Sequence, residues 1–380
     1  MKINKPMIWL CGAIIFAFII AGTVLTFSNQ AGGTDEREEV QMPRERELPG
    51  EEFITRHMRN EAGLLKTNLK QHISQNNEIA EGEEALSESL GLWMIYCVEK
   101  GDQKLFDQSL QMLQHFLKDG WIAWKVGSEK PAVSTNASID DLRVVEALYL
   151  AADKWGDKRY TEMAQKIGAS LEKNQIVDGL LGDFYDVRAK WASPVMTLSY
   201  LNTVALKRLA NDNAVEHAVY AQNEQFLKAI PLKNGFFPFS YNIQTKQYEY
   251  HQEVNLIDQL YILYHRAKEG HPSPEVWKFL KEQFYAHGLL YGRYDAIAKT
   301  PSVRFESPAV YGLAILAAVE LQEHTFAQDL YFRMNRMQTR NPGSVWYGGY
   351  INYNTMDTHI FDNLVPLVAE RELYNEGLLH

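Results

Sequence analysis

The chain has 380 residues, a formal net charge of −10 and 46% hydrophobic residues. This acidic balance argues against a nucleic-acid partner, because no basic stripe is present to neutralise phosphates, and it suits a neutral or cationic polymer better. The only cysteines are Cys11 and Cys97, so a disulfide framework is excluded.

The N-terminal 50 residues differ in composition from the rest. Residues 1–6 carry Lys2 and Lys5, and residues 7–27 are apolar without a charge. A run of this length can cross a bilayer, and lysines placed only before it predict a cytoplasmic N-terminus and an outward-facing domain. A cleaved signal peptide is the alternative, although its apolar region would be unusually long. Residues 28–50 are polar and charged, which predicts a flexible linker, and residues 51–380 form the predicted folded domain.

Helical periodicity dominates the predicted domain. Paired helices with short connections are expected near 52–74, 84–99, 102–118, 140–155, 157–174, 194–210, 213–229, 253–268, 273–287, 307–322, 324–338 and 358–371. The long aromatic-rich loops include a predicted hairpin within 234–250. Six helical hairpins with long loops on one side predict an all-α fold, an (α/α)6 barrel. An open α-solenoid is the alternative, but the sequence lacks a repeat of fixed period.

Three segments combine carboxylates with aromatic and turn residues. Glu88 lies where polar sequence changes into an apolar helix, so burial can raise its pKa; alternatively, it is a first-turn acid stabilised by the helix dipole. Asp140 and Asp141 stand at another helix start, where they can face the same mouth or simply serve as capping and first-turn acids. Asp295 lies in a loop after Tyr294, and the alternative is a turn residue that bonds its own backbone.

At these residues the chain resembles glycoside hydrolase family 8. Ser87-Glu88-Ser89-Leu90-Gly91-Leu92-Trp93-Met94 corresponds to the family's acid motif S-E-G-x-G-Y-G-M. Ala137, Ser138, Asp141, Ala147, Leu148, Ala151 and Trp155 are in register with its second signature, and Tyr294-Asp295-Ala296 with its base motif Y-D-A-x-R-x-P-W. Ala123-Trp124-Lys125 matches an A-W-K element. Ile139 replaces the first Asp of the second signature, where Asp140 can substitute after a small shift, and Ala298 replaces the Arg of the base motif.

The resemblance implies an inverting, endo-acting hydrolase that needs no cofactor, with Glu88 as general acid and Asp295 as general base. It further implies that Asp140 and Asp141 hold the sugar, and it singles out Trp124 as an aromatic platform. Tyr294, Trp191 and Tyr200 are the other candidate sugar contacts, although loop aromatics often serve packing instead. The scattered histidines and the lack of an HExxH motif predict no metal site.

The sequence therefore predicts a membrane-anchored, extracytoplasmic polysaccharide hydrolase, with an exopolysaccharide as its substrate and an exopolysaccharide synthesis complex as a candidate partner. A non-catalytic polysaccharide-binding accessory protein is one alternative, motivated by Ile139 and Ala298. A polysaccharide lyase on the same scaffold is the other, and it would need a Tyr or His base beside a cation.

Overall fold

A computed structural model of the chain describes residues 47–71, 79–127 and 133–379. Its helices are α1 (Pro49–His57), α2 (Ser87–Lys100), α3 (Gln103–Leu113), α4 (Ser138–Trp155), α5 (Lys158–Gln175), α6 (Thr203–Asn211), α7 (His217–Ala229), α8 (Leu256–Lys268), α9 (Pro274–His287), α10 (Pro308–Glu320), α11 (His324–Asn335) and α12 (Phe361–Asn375), with a 3-10 turn at Leu198–Tyr200 before α6. These elements confirm the predicted all-helical class.

The helices form two concentric rings. The even-numbered helices contact each other in sequence order, and α12 returns to contact α2, so the inner ring is closed. The odd-numbered helices pack outside it: α1 on α12, α3 on α2, α5 on α4, α7 on α6, α9 on α8 and α11 on α10. Helix α10 is buried along almost its whole length, as its nearly continuous apolar sequence requires of an inner helix. The closed ring confirms the (α/α)6 barrel and excludes the open solenoid.

Short strands connect the helices on the side where the inner helices begin. They are β1 (Ala85–Leu86), β2 (Leu117–Lys118), β3 (Trp121–Ile122), β4 (Lys125–Val126), β5 (Ile176–Val177), β6 (Leu180–Leu181), β7 (Tyr185–Asp186), β8 (Trp191–Ala192), β9 (Val195–Thr197), β10 (Ser240–Asn242), β11 (Gln247–Glu249), β12 (Glu253–Asn255) and β13 (Arg293–Asp295). The predicted hairpin is confirmed, since β10 pairs antiparallel with β11. Strand β1 leads directly into α2, and β12 into α8, so both helix starts are fixed at this loop side.

Two predicted helices are shorter than expected. The helix predicted at 52–74 ends at His57, because the Asn60 side chain accepts a hydrogen bond from the Leu64 N–H (2.9 Å) and holds a turn that includes Gly63 at φ 77°. The helix predicted at 194–210 begins only at Thr203, because 195–197 pair with β10 as strand β9. Local side-chain bonding and strand pairing override helical periodicity at these two places.

The predicted membrane segment, residues 7–27, and most of the predicted linker lie outside the described residues. Within the described part, none of the helices combines the length and the apolar character needed to cross a bilayer. Helix α1 begins at Pro49, two residues before the predicted domain boundary.

Candidate active site

Glu88 lies in the first turn of α2, at the loop side of the barrel. Its side chain is only 5% exposed, and among the described residues no hydrogen-bond partner reaches its Oε1 atom. Burial, reinforced by the nearby negative charge of Asp140, raises the pKa of Glu88 to about 8. Its carboxyl group therefore carries a proton at neutral pH, which is the state that a general acid needs.

Asp140, in the first turn of α4, is the buried neighbour of Glu88. Its Oδ2 accepts a hydrogen bond from Ser87 Oγ (2.7 Å), its Oδ1 accepts one from Arg143 Nη1 (3.0 Å), and the backbone N–H of Glu88 also donates to it. Arg143 in turn donates to Tyr261 Oη (3.1 Å). Arg143 thus offers one positive charge to two buried carboxyl groups, and because Asp140 holds it, Glu88 is the group that keeps its proton.

Gly91 gives Arg143 the room for this position. A Cβ atom at Gly91 would approach the Arg143 side chain to 3.1 Å, so the glycine that is retained in the acid motif allows α2 and α4 to pack closely here. Ile139, at the position of the family's first Asp, packs instead in a small apolar cluster with Leu86 and Trp124. The next residue, Asp140, is the one that carries a carboxyl group beside Glu88, and its role in holding the sugar stays a prediction.

Tyr200, in the 3-10 turn before α6, lies close to Glu88 and to three other carboxyl groups. Burial, followed by the charges of Asp183, Asp140, Asp258 and Glu88, raises the pKa of Tyr200 well above its usual value. All four carboxyl groups therefore lie near one phenol. This arrangement brings four carboxyl groups from four different parts of the chain to one region of the loop side.

Asp183 and Asp258 were not predicted as site residues. Asp258 lies in the first turn of α8, accepts a hydrogen bond from Ser199 Oγ (3.1 Å), and has a pKa that burial raises to about 6. Asp183 accepts hydrogen bonds from the backbone N–H (2.5 Å) and the hydroxyl (2.9 Å) of Thr197, and burial raises its pKa to about 7. Asp258 shows the signal that identified Glu88, a carboxylate at the start of an apolar helix, but it belongs to none of the recognised motifs.

Asp258 also lines an open cavity of about 310 Å³ on the loop side, which we call the loop-side cavity. Its walls include the aromatic residues Phe237, Phe239, Tyr250 and His251. Phe239 and His251 stack with ring centroids 4.3 Å apart. Apolar walls with a few polar groups are typical of ligand sites.

Asp295, the predicted base, lies at the end of β13 in a different environment. Its Oδ1 accepts hydrogen bonds from the backbone N–H groups of Ala298 (2.7 Å) and Ile297 (2.9 Å). These two bonds lower its pKa, which favours the ionised carboxylate. Asp295 is half-buried and makes the turn contacts that the structural alternative predicted. Its neighbours Ala296 and Ile297 line the loop-side cavity.

Asp141 points into a separate polar network. The amide of Asn136 donates to Asp141 Oδ2 and also to Gln175 Oε1 (2.6 Å), while the backbone N–H of Tyr185 donates to Asn136 Oδ1 (2.7 Å). Burial raises the pKa of Asp141 well above its usual value. These bonds connect α4 to α5 and to the loop that carries Asp183. Asp141 therefore helps to hold these elements together next to the site.

The predicted sugar-contacting aromatics divide into buried and accessible ones. Trp124 is only 6% exposed and packs against Leu86 and Ala137, and its carbonyl accepts a hydrogen bond from Ser87 Oγ (3.1 Å). Trp191, in contrast, is 40% exposed and keeps an edge contact with Phe184. Trp191 therefore has a free surface for a sugar ring, and its predicted role stays a prediction.

Tyr294 requires a correction as a substrate contact. Its ring is fully buried against Phe279, and its hydroxyl oxygen accepts a hydrogen bond from the Tyr291 backbone N–H (3.1 Å). No face of the ring is left for a sugar, because strand pairing at β13 turns this side chain into the core. Tyr200, the remaining candidate, is half-buried and packs against the Trp124 cluster beside the carboxyl groups.

A Trp124→Ala substitution should therefore act mainly on stability. Removing an indole ring from an apolar cluster leaves a cavity, and the expected cost is about 3–5 kcal/mol of unfolding free energy. Denaturant unfolding measures that cost, and Trp191→Ala is the matched control, expected to cost far less. A binding isotherm for the polymer, measured on the same variants, would contradict this prediction if Trp124→Ala weakened binding while melting normally.

The closed double ring and the buried carboxyl groups at the starts of its inner helices define an α-barrel of the glycosidase class. A family model for glycosyl hydrolases family 8 matches residues 61–189, which include Glu88, Asp140 and Asp183. The protein YdaJ of Bacillus subtilis (strain 168), provisionally named a lipoprotein, is 36% identical over 97% of this chain and 98% of its own length. The chain belongs to glycosyl hydrolase family 8.

Two solved structures agree with this assignment. One is described as a novel α-amylase from Clostridium perfringens; it is 25% identical, with 84% of this chain and 95% of that chain covered and a TM-score of 0.78. The other is PssZ from Listeria monocytogenes, which is 26% identical, with 84% of this chain and 93% of that chain covered and a TM-score of 0.68. The similarity extends over most of the barrel, beyond the segment that the family model matches.

Proposed function

We propose that this protein hydrolyses a polysaccharide with inversion of configuration, using Glu88 as the general acid. The observation that carries the proposal is the buried carboxyl group of Glu88, whose Oε1 has no partner among the described residues, beside the Asp140–Arg143 ion pair. In this role Glu88 protonates the departing glycosidic oxygen. In the same proposal Asp140, held by Ser87 and Arg143, orients the acid and bonds the distorted sugar at the cleavage point.

The general base must be a carboxylate that is ionised when Glu88 is protonated. Asp258 has the lower pKa of the two, about 6 against about 8, so near pH 7 the pair holds one proton on the acid and none on the base. Asp258 also combines a wall position in the loop-side cavity with proximity to Tyr200. Asp295, which the sequence predicts, has its Oδ1 occupied by two turn N–H groups. We therefore assign the base to Asp258 and keep Asp295 as the competing assignment.

The substrate in this proposal is a neutral or amine-bearing polymer, such as an exopolysaccharide. The net charge of −10 disfavours a polyanion. A similar structure described as an α-amylase supports a polysaccharide as the substrate class. We propose that cleavage takes place in the interior of the polymer.

The direct test is to incubate the barrel with a panel of bacterial polysaccharides and to measure new reducing ends. NMR before mutarotation should show the first product with the anomeric configuration opposite to that of the cleaved bond. Retention would contradict the inverting mechanism. Tight polymer binding without new reducing ends would favour the accessory-protein alternative, and ultraviolet-absorbing unsaturated ends would favour a lyase.

The anchoring of the protein is a further expectation. We propose that residues 7–27 hold the barrel outside the cytoplasm as an uncleaved anchor. Protease added to intact protoplasts should remove the barrel, and Cys11→Ser should leave the protein in the membrane fraction with its N-terminus intact. The name of the relative YdaJ raises a lipid anchor as the alternative. Release of Cys11→Ser from the membrane, or a lipid mass on Cys11 in the wild type, would establish that alternative.

A further inference from the structure

A second cavity, of about 320 Å³, opens on the outer flank of the barrel between α1 and α11, over α12; we call it the flank cavity. Glu370 lies at its inner wall, eight residues after Asp362 at the loop-side end of α12. Eight residues correspond to about 12 Å of helix, so the flank cavity is separate from the loop-side cavity. Helix α1 has only nine residues, whereas α11 has twelve.

The flank cavity has a built polar wall. Glu370 is buried, and its Oε1 accepts a hydrogen bond from Tyr331 Oη (3.0 Å), which itself accepts one from Asn335 Nδ2 (3.2 Å). Gln338, also buried, donates its amide to the Gly348 carbonyl (3.0 Å). These contacts fix the side chains and use one amide N–H of Asn335 and one of Gln338. The amide oxygens and Glu370 Oε2 remain to accept bonds from an occupant of the cavity.

The rim of the flank cavity adds aromatic rings and a hydrogen-bond donor. Tyr347 and Tyr374 line the cavity together with Tyr331, and Arg340 supplies an exposed guanidinium. Each phenol has an apolar ring and a polar tip. A saccharide needs this mixture, because its C–H faces pack on rings while each hydroxyl both donates and accepts hydrogen bonds.

The charges narrow the ligand class. The lining carries three carboxyl groups, on Glu47, Glu52 and Glu370, against the single cation of Arg340, and burial raises the pKa of Glu47 and of Glu370. An anionic sugar would meet more acidic groups than basic ones, whereas a neutral or amine-bearing sugar suits this lining. We infer that the flank cavity is a second saccharide-binding site, which holds a neutral or amine-bearing sugar unit away from the active site.

A second site would keep a polymer close to the barrel between cleavage events. Two binding sites on one polymer raise the effective concentration at each site without any new contact at the active site. The inference rests on the proposed function only for the choice of sugars as probes.

The test is saturation-transfer NMR on the full chain with a panel of glucose, galactose, mannose, glucosamine and N-acetylglucosamine. We expect at least one sugar to show saturation transfer with the wild type. Tyr347→Ala and Glu370→Gln should each lower the affinity for that sugar at least tenfold. Tyr353→Ala, which changes an exposed tyrosine of the same loop outside the cavity, is the matched control and should bind as the wild type does. Melting curves identify any variant that has lost its fold.

An unchanged signal in both variants for every sugar of the panel would overturn the inference. The readout is independent of catalysis, because monosaccharides have no glycosidic bond to cleave. A protein that fails to hydrolyse any polymer could still show the second site. If the protein is a hydrolase whose sugar binding changes in Glu88→Gln but never in Tyr347→Ala, the proposed function stands and the second site is rejected.

Discussion

Glu88→Gln should reduce hydrolysis by about 10²–10⁴-fold, because the amide keeps the shape of the side chain but has no acidic proton to give to the leaving oxygen. Substrate binding should stay near the wild-type level. The wild-type rate should also fall as pH rises through about 8, where Glu88 loses its proton. Initial rates of reducing-end formation between pH 5 and 9 measure both effects.

The stability of the Glu88→Gln variant is the control for its loss of activity. The pKa of Glu88 is raised in the folded state, so its contribution to stability is fully present below the unfolded pKa and is lost as pH rises through about 8. Glutamine cannot ionise, and the variant should melt no lower than the wild type, with the largest advantage at alkaline pH. Wild-type turnover in Glu88→Gln would remove Glu88 from the mechanism and leave the binding-protein alternative ahead.

Asp258→Asn should cause a loss of turnover of similar size, about 10²–10⁴-fold, because asparagine cannot take a proton from the attacking water. In the wild type, activity should fall as pH decreases through about 6, where Asp258 becomes protonated. The rate profile between about 6 and 8 is therefore a bell whose two limbs belong to Asp258 and Glu88.

Asp295→Asn is the matched comparison for Asp258→Asn. If the turn contacts define its role, this variant should keep most of the activity and lose only some stability in the loop after β13. The opposite ranking, with Asp295→Asn inactive and Asp258→Asn active, would return the base to the residue that the sequence predicts. In an inverting enzyme the carboxyl group of the true base lies about 6.5–9.5 Å from that of the acid, which a substrate complex would measure.

The barrel was predictable because its helices are long and strongly periodic. Glu88 was found through its match to the family's acid motif, since helical spacing alone also fits a first-turn acid stabilised by the helix dipole. The sequence-based predictions failed where a single side chain or a single strand pairing determines the local structure. Asn60 ends the first helix early, β13 buries Tyr294, and two turn N–H groups occupy Asp295. None of these has a periodic pattern.

The sequence did not reveal Asp258 or the effect of Arg143, because both depend on long-range packing. Asp258 is 170 positions after Glu88, and only ring closure brings α8 opposite α2. Arg143 is three residues after Asp140, yet its effect depends on the space at Gly91 in another helix. The motif identifies Glu88, the proposed acid, because the residues near Glu88 in sequence are also near it in space. The proposed base, Asp258, and the charge balance of the site depend on contacts that no local pattern contains.

The closure of the inner ring also has a consequence for biosynthesis. The side chain of Asn375 donates hydrogen bonds to the carbonyl (3.2 Å) and the carboxylate (3.0 Å) of Glu99, and α12 packs on α2. Helix α2, which carries Glu88, thus receives one of its two inner neighbours only when α12 has been made. Before that moment the faces of α2 and α10 that pack on α12 are uncovered, and a chain released without α12 is an open ring prone to aggregation. Synthesis of α12 is therefore the step that allows the ring to close around Glu88.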